Sequence, residues 1–288
     1  MRAGVIGHQG YDELPDILGR LSRTAPGLGL DLFFEQGLHE VAASGGRLES
    51  ADQIDALITL GGDGTLLRGA RWLDGKDKPI LGVNLGRLGF LTSCQMEDLE
   101  AALKYLASGE YVAQPRMALS ARAIDATGET RKQWRALNDF VLHKGGFARV
   151  VRLNISIDGE SIGTYAADGI VISTPTGSTA YSLSAGGPVV VPTVESIIIT
   201  PVSAHTLAIR SLVIPADAEV TVEANESPTE LLVTVDGQVG TSFVKGEKLK
   251  VRRADNPVRI VRFPSATFFE RMRVKLGWGG LPDSDQSS

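Results

Sequence analysis

The sequence predicts an α/β domain followed by an all-β domain, with a last helix that returns to the first. Three features carry this. Short apolar runs alternate with helix-like segments in the first third, the spacing turns to strict alternation from about Ala113, and helical spacing returns near the C-terminus. At 288 residues the chain exceeds the roughly 250 at which single cores stop growing. Two domains are therefore expected, at 1–112 and 113–264, with the tail 265–288 packing back on the first.

In order along the chain, Ala3 to Gly7, Asp31 to Phe34, Ala56 to Leu60 and Pro79 to Asn84 read as strands. Between and after them, Tyr11 to Leu21, Thr65 to Leu73 and Met96 to Ala107 carry apolar residues at helical spacing, as in Leu99, Leu103 and Leu106. Such βαβ alternation implies a Rossmann-like parallel sheet covered by helices. In the second region Val151, Leu153, Ile155 and Ile157 alternate up to Asp158-Gly159, a hairpin signal. Further strands are expected at Trp134 to His143, Ile170 to Ser173, Ile197 to Thr200, Glu219 to Glu223, Leu231 to Val235, Lys248 to Arg252 and Val258 to Phe263. Together they suggest an antiparallel β-sandwich. In the tail, Phe268, Met272 and Leu276 are spaced to bury one stripe of a helix, and the residues beyond Gly277 turn polar.

Composition narrows the function classes. With 43% hydrophobic and 22% charged residues the chain is of ordinary globular type. A formal charge of −5, from 29 basic and 34 acidic residues, provides no broad basic field for nucleic acid. The single cysteine, Cys94, has no partner for an internal disulfide, and no Cys/His cluster of metal type surrounds it or His8, His39, His143 or His205. No apolar stretch is long enough to span a bilayer and no signal segment is read, so a cytoplasmic setting is expected.

The sharpest motif is Gly61-Gly62-Asp63-Gly64-Thr65, which follows an apolar run and opens a helical one. Strand, glycine turn and helix make a phosphate-handling geometry: the glycines permit positive φ and close ligand approach, and the helix start points amide groups at an anion. On this reading Gly61, Gly62, Gly64 and Thr65 hold phosphate and Asp63 is a carboxylate beside it. The same residues also suit a plain turn, with Thr65 as helix cap. A second run, from Asp168-Gly169 through Ser173-Thr174-Pro175-Thr176-Gly177-Ser178-Thr179-Ala180-Tyr181-Ser182-Leu183-Ser184 to Pro188, is rich in hydroxyls and small residues, and Tyr181 offers a stacking face. An ordinary Gly/Ser loop has the same composition.

In this combination the sequence closely resembles the NAD kinase family, whose Gly-Gly-Asp-Gly-Thr loop, Asn-Glu or Asn-Asp pair and Thr-Gly-Ser-Thr-Ala-Tyr block occur here in order, the pair being Asn138-Asp139. Leu85 to Phe90, His205-Thr206-Leu207 and Asp236-Gly237-Gln238 are further similarities, so the resemblance spans nearly the whole chain. It implies phosphoryl transfer from ATP or polyphosphate to the 2′-hydroxyl of the adenosine ribose of NAD, with Asp63 as general base. It further implies that Asn138 and Asp139 hold ribose and adenine, that Thr179, Ala180 and Tyr181, with Ser182, Leu183 and Ser184, build the dinucleotide pocket, and that Asp168 lies at the nicotinamide end. Gly64, Phe90, Ala166, Ser203, Gln238 and Arg149 align with substrate positions. Ala166 stands where many relatives carry a basic residue, and Ala204 where proline is common.

Arg68, about one turn into the helix after the glycine loop, is placed to reach a phosphate, whereas Arg71 reads as a solvated charge. Mg²⁺ is expected to enter with the phosphate donor, since no carboxylate cage for it is legible. The resemblance implies a homodimer or homotetramer built through the β domain, with residues around Ser203 to His205 completing a neighbour's site. No lysine is followed by serine or threonine, which excludes the P-loop signature. A lipid or sugar kinase using the same loop and a non-catalytic dinucleotide sensor are the rival readings.

Overall fold

The computed structural model describes residues 1–42, 44–87, 89–145, 150–205, 208–224, 231–244, 246–263 and 267–277. Two compact units result, Met1–Pro115 with Val258–Ser288, and Arg116–Pro257.

The first unit is built on an eight-stranded sheet. Across it run Gly46–Arg47, Asp31–Phe34, Arg2–Gly7, Ala56–Leu60, Pro79–Asn84, Val258–Arg262 and Val112–Arg116, with Cys94–Gln95 beside Pro79–Asn84. Arg2–Gly7 and Ala56–Leu60 are parallel neighbours, and every residue of the latter is buried. Continuous burial is what a parallel strand covered on both faces requires. The helix Leu14–Thr24 buries Leu14, Ile17, Leu18 and Leu21, one stripe at helical spacing. Asp63–Leu73 buries Leu66, Leu67, Ala70 and Leu73, and approaches the sheet closely at Gly69, where a Cβ would lie 2.8 Å from Thr59 Cγ2.

The strand Val258–Arg262 corrects the expectation that this segment belongs to the second region, because it pairs in parallel with Pro79–Asn84. Val258, Ile260, Val261 and Arg262 are all buried, so a segment that reads as half-exposed alternation is an interior strand. The tail helix Phe268–Leu276 differs from its reading too. Leu276 is 38% exposed, and the side chain the helix buries is Arg271, whose donors meet main-chain carbonyls.

The second unit holds two antiparallel six-stranded sheets. One runs Leu212–Pro215, Ser196–Val202, Gly169–Ser173, Asp139–Lys144, Leu231–Val235, Val239–Phe243; the other Glu160–Ala167, Val151–Ile157, Val220–Ala224, Lys248–Arg253, Leu119–Ile124, Thr130–Ala136. Their inner residues form one cluster, with Phe140, Ile172 and Val233 from the first and Leu153, Val222 and Leu249 from the second, as a sandwich requires. Asp158 and Gly159 form a two-residue turn at φ 51° and 85°, and Asp236 and Gly237, at 49° and 64°, belong to the three residues that join Leu231–Val235 to Val239–Phe243.

The expected strand Trp134 to His143 is two strands, Thr130–Ala136 in one sheet and Asp139–Lys144 in the other. The chain crosses between sheets at Leu137-Asn138. There the Asp236 carboxylate takes the amide hydrogens of Leu137 (3.3 Å), Asn138 (2.7 Å) and Asp139 (3.3 Å) in place of ladder partners.

Candidate active site

In the first unit the strands Arg2–Gly7 and Ala56–Leu60 lie side by side, with the chain leaving on one flank of the sheet and returning on the other. The crevice outside the carboxyl ends of such strands is where open α/β sheets bind ligands. Gly61 follows directly, at φ 148°, and a Cβ there would lie 2.3 Å from Thr65 Oγ1. Glycine is therefore demanded at 61, while Gly62 and Gly64 keep negative φ. The helix begins at Asp63, earlier than expected, with Gly62 as its N-cap. Thr65 is thus a buried first-turn residue and not the cap.

Asp63 is held from across the loop. The amides of Phe90 (2.8 Å to Oδ2), Leu91 (2.9 Å to Oδ1) and Thr92 (3.2 Å to Oδ1) all donate to its carboxylate. Gly89 completes the contact, since a Cβ there would sit 1.9 Å from Asp63 Oδ1. Phe90 presents its ring to Phe268, with centroids 6.3 Å apart, and to the Lys275 ammonium at 5.4 Å. Arg68 is engaged within the protein: its guanidinium forks onto Glu35 at 2.6 and 2.9 Å and donates to the Gly7 carbonyl at 2.6 Å. It braces the end of a central strand. Cys94 is not a nucleophile here, as burial pushes its thiol up to about 12.

The second unit contains a cavity of about 680 Å³. Asn138, Asp139, Asp168, Ala180, Tyr181 and Ser203 line it, together with Val141, His143, Lys144, Val202, Thr234, Asp236 and Gly237. Tyr181, among the lining residues, is 46% exposed. Lys144 and Asp168 pair at 2.7 Å. Asp139 is buried, and that burial, with the neighbouring Asp236 carboxylate second, pushes its carboxyl up to about 7. Ser203 holds a positive φ of 49° at the cavity wall.

Most hydroxyls of the Ser/Thr-rich run serve the fold. Thr174 Oγ1 donates to the Leu137 carbonyl at 2.6 Å, Ser178 Oγ to Pro175, and Thr179 Oγ1 to Thr176; Ser182 Oγ shares a hydrogen bond with Thr200 Oγ1. From this run Ala180 and Tyr181 line the cavity; Thr179, Ser182, Leu183 and Ser184 are not among its lining residues. Ala166 accepts the His205 amide at 2.9 Å and Gln238 follows the Asp236-Gly237 turn; neither lines the cavity. Arg149, Thr206 and Leu207 lie outside the described residues. Val141, His143, Lys144, Val202, Thr234 and Asp236 line the cavity without being read as site residues in the sequence; for Asp236 the reason is that an Asp-Gly pair signals a turn, and nothing local marks its carboxylate as buried.

The ATP-NAD kinase N-terminal domain family matches residues 41–111, and the ATP-NAD kinase C-terminal domain family matches residues 137–263. The NAD kinase of Gemmatimonas aurantiaca is 61% identical over 285 residues, 99% of each chain. The chain belongs to the NAD kinase family. The NAD kinase of Syntrophotalea carbinolica is 39% identical over 268 residues, 92% of each chain. Among solved structures, an NAD kinase from Archaeoglobus fulgidus in complex with ATP superposes with a TM-score of 0.73 at 26% identity, covering 96% of this chain and 98% of that one. Yeast NADH kinase complexed with NADH shares the fold at a TM-score of 0.91 and 24% identity, covering 99% of this chain and 90% of that one. As a member of the NAD kinase family the protein is an enzyme that phosphorylates NAD. Among the described residues no helix is long and apolar enough to cross a membrane.

Proposed function

We propose that the protein transfers the terminal phosphoryl group of ATP or polyphosphate to the 2′-hydroxyl of the adenosine ribose of NAD, with Asp63 taking the hydroxyl proton. The O2′–P bond forms as the bridging P–O bond of the donor breaks, the shortened donor leaves with that bond's electrons, and the proton passes to the Asp63 carboxylate. Phosphoryl transfer depends on positioning and charge stabilisation more than on covalent chemistry. The observation that carries this reading is the immobilised Asp63 carboxylate on a glycine turn at a helix N-terminus, a ready anion site.

Dinucleotide recognition is assigned to the cavity of the second unit, where Asn138 and Asp139 take adenine and ribose, Tyr181 stacks, and Asp168, tied to Lys144, faces the nicotinamide portion. The described residues contain no group of three or more His, Cys, Asp or Glu side chains able to hold a metal ion. Mg²⁺ is proposed to enter with the phosphate donor, bound to its oxygens. A homo-oligomer joined through the second unit is also proposed, supported by Leu212 and Val213, 37% and 46% exposed on an edge strand. Sedimentation of the purified chain as a monomer would remove that part.

The test of activity is incubation with NAD, ATP and Mg²⁺, with NADP read by an NADP-specific dehydrogenase. Formation of NADP is expected, with free adenosine, diacylglycerol and fructose 6-phosphate as poor acceptors. Turnover of a lipid or a sugar phosphate at a rate comparable to NAD would overturn the assignment.

A further inference from the structure

We propose that Arg271 is a positioning residue for phosphoryl transfer, holding in place the Gly89 to Thr92 segment whose amides hold the Asp63 carboxylate. The inference rests on Asp63 being the proton acceptor and adds the element that fixes it. Arg271 is 4% exposed, on a helix whose Phe269, Val274 and Leu276 stand in solvent. Its Nη1 donates to the Gly89 carbonyl at 3.0 Å and to the Thr92 carbonyl at 2.6 Å. From the strand Val258–Arg262, Arg262 joins it, with Nη1 on the Thr92 carbonyl at 2.7 Å and Nη2 on the Phe90 carbonyl at 2.9 Å. One short segment is thus gripped on both sides. Its amides at 90, 91 and 92 point to Asp63, and its carbonyls at 89, 90 and 92 receive two guanidinium groups.

The choice of an arginine here is informative. Burying a guanidinium costs free energy unless hydrogen bonds and opposite charge offset it, and for packing alone a methionine would cover the same surface. Arg271 donates to carbonyls and has no carboxylate at ion-pair distance among the described salt bridges. Burial lowers its affinity for the proton, and the foremost opposing influence is the negative charge of Asp63. Position and charge therefore converge on one group, the carboxylate that accepts the substrate proton. Arg271 lies beyond residue 263, where the matched C-terminal family region ends.

The experiment compares Arg271→Met, Arg271→Lys, Asp63→Asn and the Arg271→Met/Asp63→Asn double variant in full-length enzyme, measuring kcat, KM for NAD and melting temperature. Misplacing a catalytic group by about 1 Å costs roughly 10²-fold, so Arg271→Met is expected to lower kcat by about that factor with KM for NAD nearly unchanged. Both bonds come from the single Nη1, which the rigid guanidinium plane aims at the two carbonyls; a lysine ammonium on its shorter, flexible stem is not aimed in this way, and Arg271→Lys is expected to lose about tenfold. Because Arg271 acts through Asp63, the double variant should be no slower than Asp63→Asn alone. A folded Arg271→Met or Arg271→Lys with wild-type kcat, beside an inactive Asp63→Asn, overturns the proposal while leaving the base intact. Multiplying losses in the double variant also overturn it. An active Asp63→Asn removes the base assignment itself.

Discussion

The Phe90 amide donates a hydrogen bond to Asp63 Oδ2 at 2.8 Å, while Oδ1 takes the amides of Leu91 and Thr92. A carboxylate has about four lone-pair sites, and three are occupied. The remaining one is on Oδ2. That atom is the one free to take a hydroxyl proton, and the three amides keep it from turning away. Asp63→Asn replaces one oxygen with a donor that faces donors, so the chemistry should suffer more than binding. A fall in kcat of about 10²- to 10⁴-fold is expected, roughly 3–5 kcal/mol in the barrier, with NAD affinity little changed. Near-normal kcat in a folded Asp63→Asn protein would reduce Asp63 to a turn residue.

Tyr181 opens the short helix Tyr181–Ser184 and remains 46% exposed, so it contributes little to the core. Tyr181→Ala should weaken NAD binding by about 1–3 kcal/mol through loss of a stacking face and a hydrogen bond. Calorimetry measures this directly. Unchanged affinity together with a collapsed melting temperature would make Tyr181 a packing residue.

Gly177 lies against the strand break, where a Cβ would sit 2.1 Å from the Asn138 carbonyl oxygen. Backbone cannot yield as a side chain can. Gly177→Ala should therefore destabilise the protein by about 1–3 kcal/mol, the usual cost of overpacking, and displace Asn138 from the cavity wall. Thermal unfolding and NAD titration check both effects. An unchanged melting temperature would mean that the loop and the strand break are not locked together.

What the sequence discloses and what it hides follow from the range of the forces involved. Asp31–Phe34, Ala56–Leu60, Pro79–Asn84 and Leu231–Val235 are legible residue for residue, because apolar runs are bounded by turn or polar residues. Trp134 to His143 reads as one strand because the agent that breaks it, Asp236, is 98 residues from Asn138. Arg271 is illegible for a related reason: hydrophobic periodicity never points an arginine inward, and its partners are carbonyls of a distant loop. In the Ser/Thr-rich run, composition announces hydroxyls but not their partners, so Thr179 and Ser182 read as ligand groups while their hydroxyls bond within the protein, to the Thr176 carbonyl and Thr200 Oγ1. Asp63, Asn138, Asp139 and Tyr181 are legible through the family motifs, and the structure adds what immobilises the first and what surrounds the rest.

The last prediction concerns pH. Asp139 is buried in the cavity wall, and its carboxyl is pushed up to about 7 by that burial and then by Asp236. Two consequences have defined signs. For stability, a carboxyl whose folded pKa exceeds its ordinary value of about 3.9 contributes stability that is complete below that value and is lost as pH rises through about 7. The melting temperature of the native protein should therefore decline relative to Asp139→Asn as pH rises across this window. For binding, ribose hydroxyls and the adenine amino group are hydrogen-bond donors, so they call for the ionised carboxylate. NAD affinity should then rise by up to about tenfold per pH unit below the midpoint and level off above it. His143 lines the same cavity, and Asp139→Asn separates the two groups because it leaves His143 in place. Titration calorimetry of both proteins across about pH 5.5 to 8.5 gives the answer. A flat wild-type profile, or the same midpoint retained in Asp139→Asn, would show that the Asp139 carboxylate is not what receives the substrate's donors.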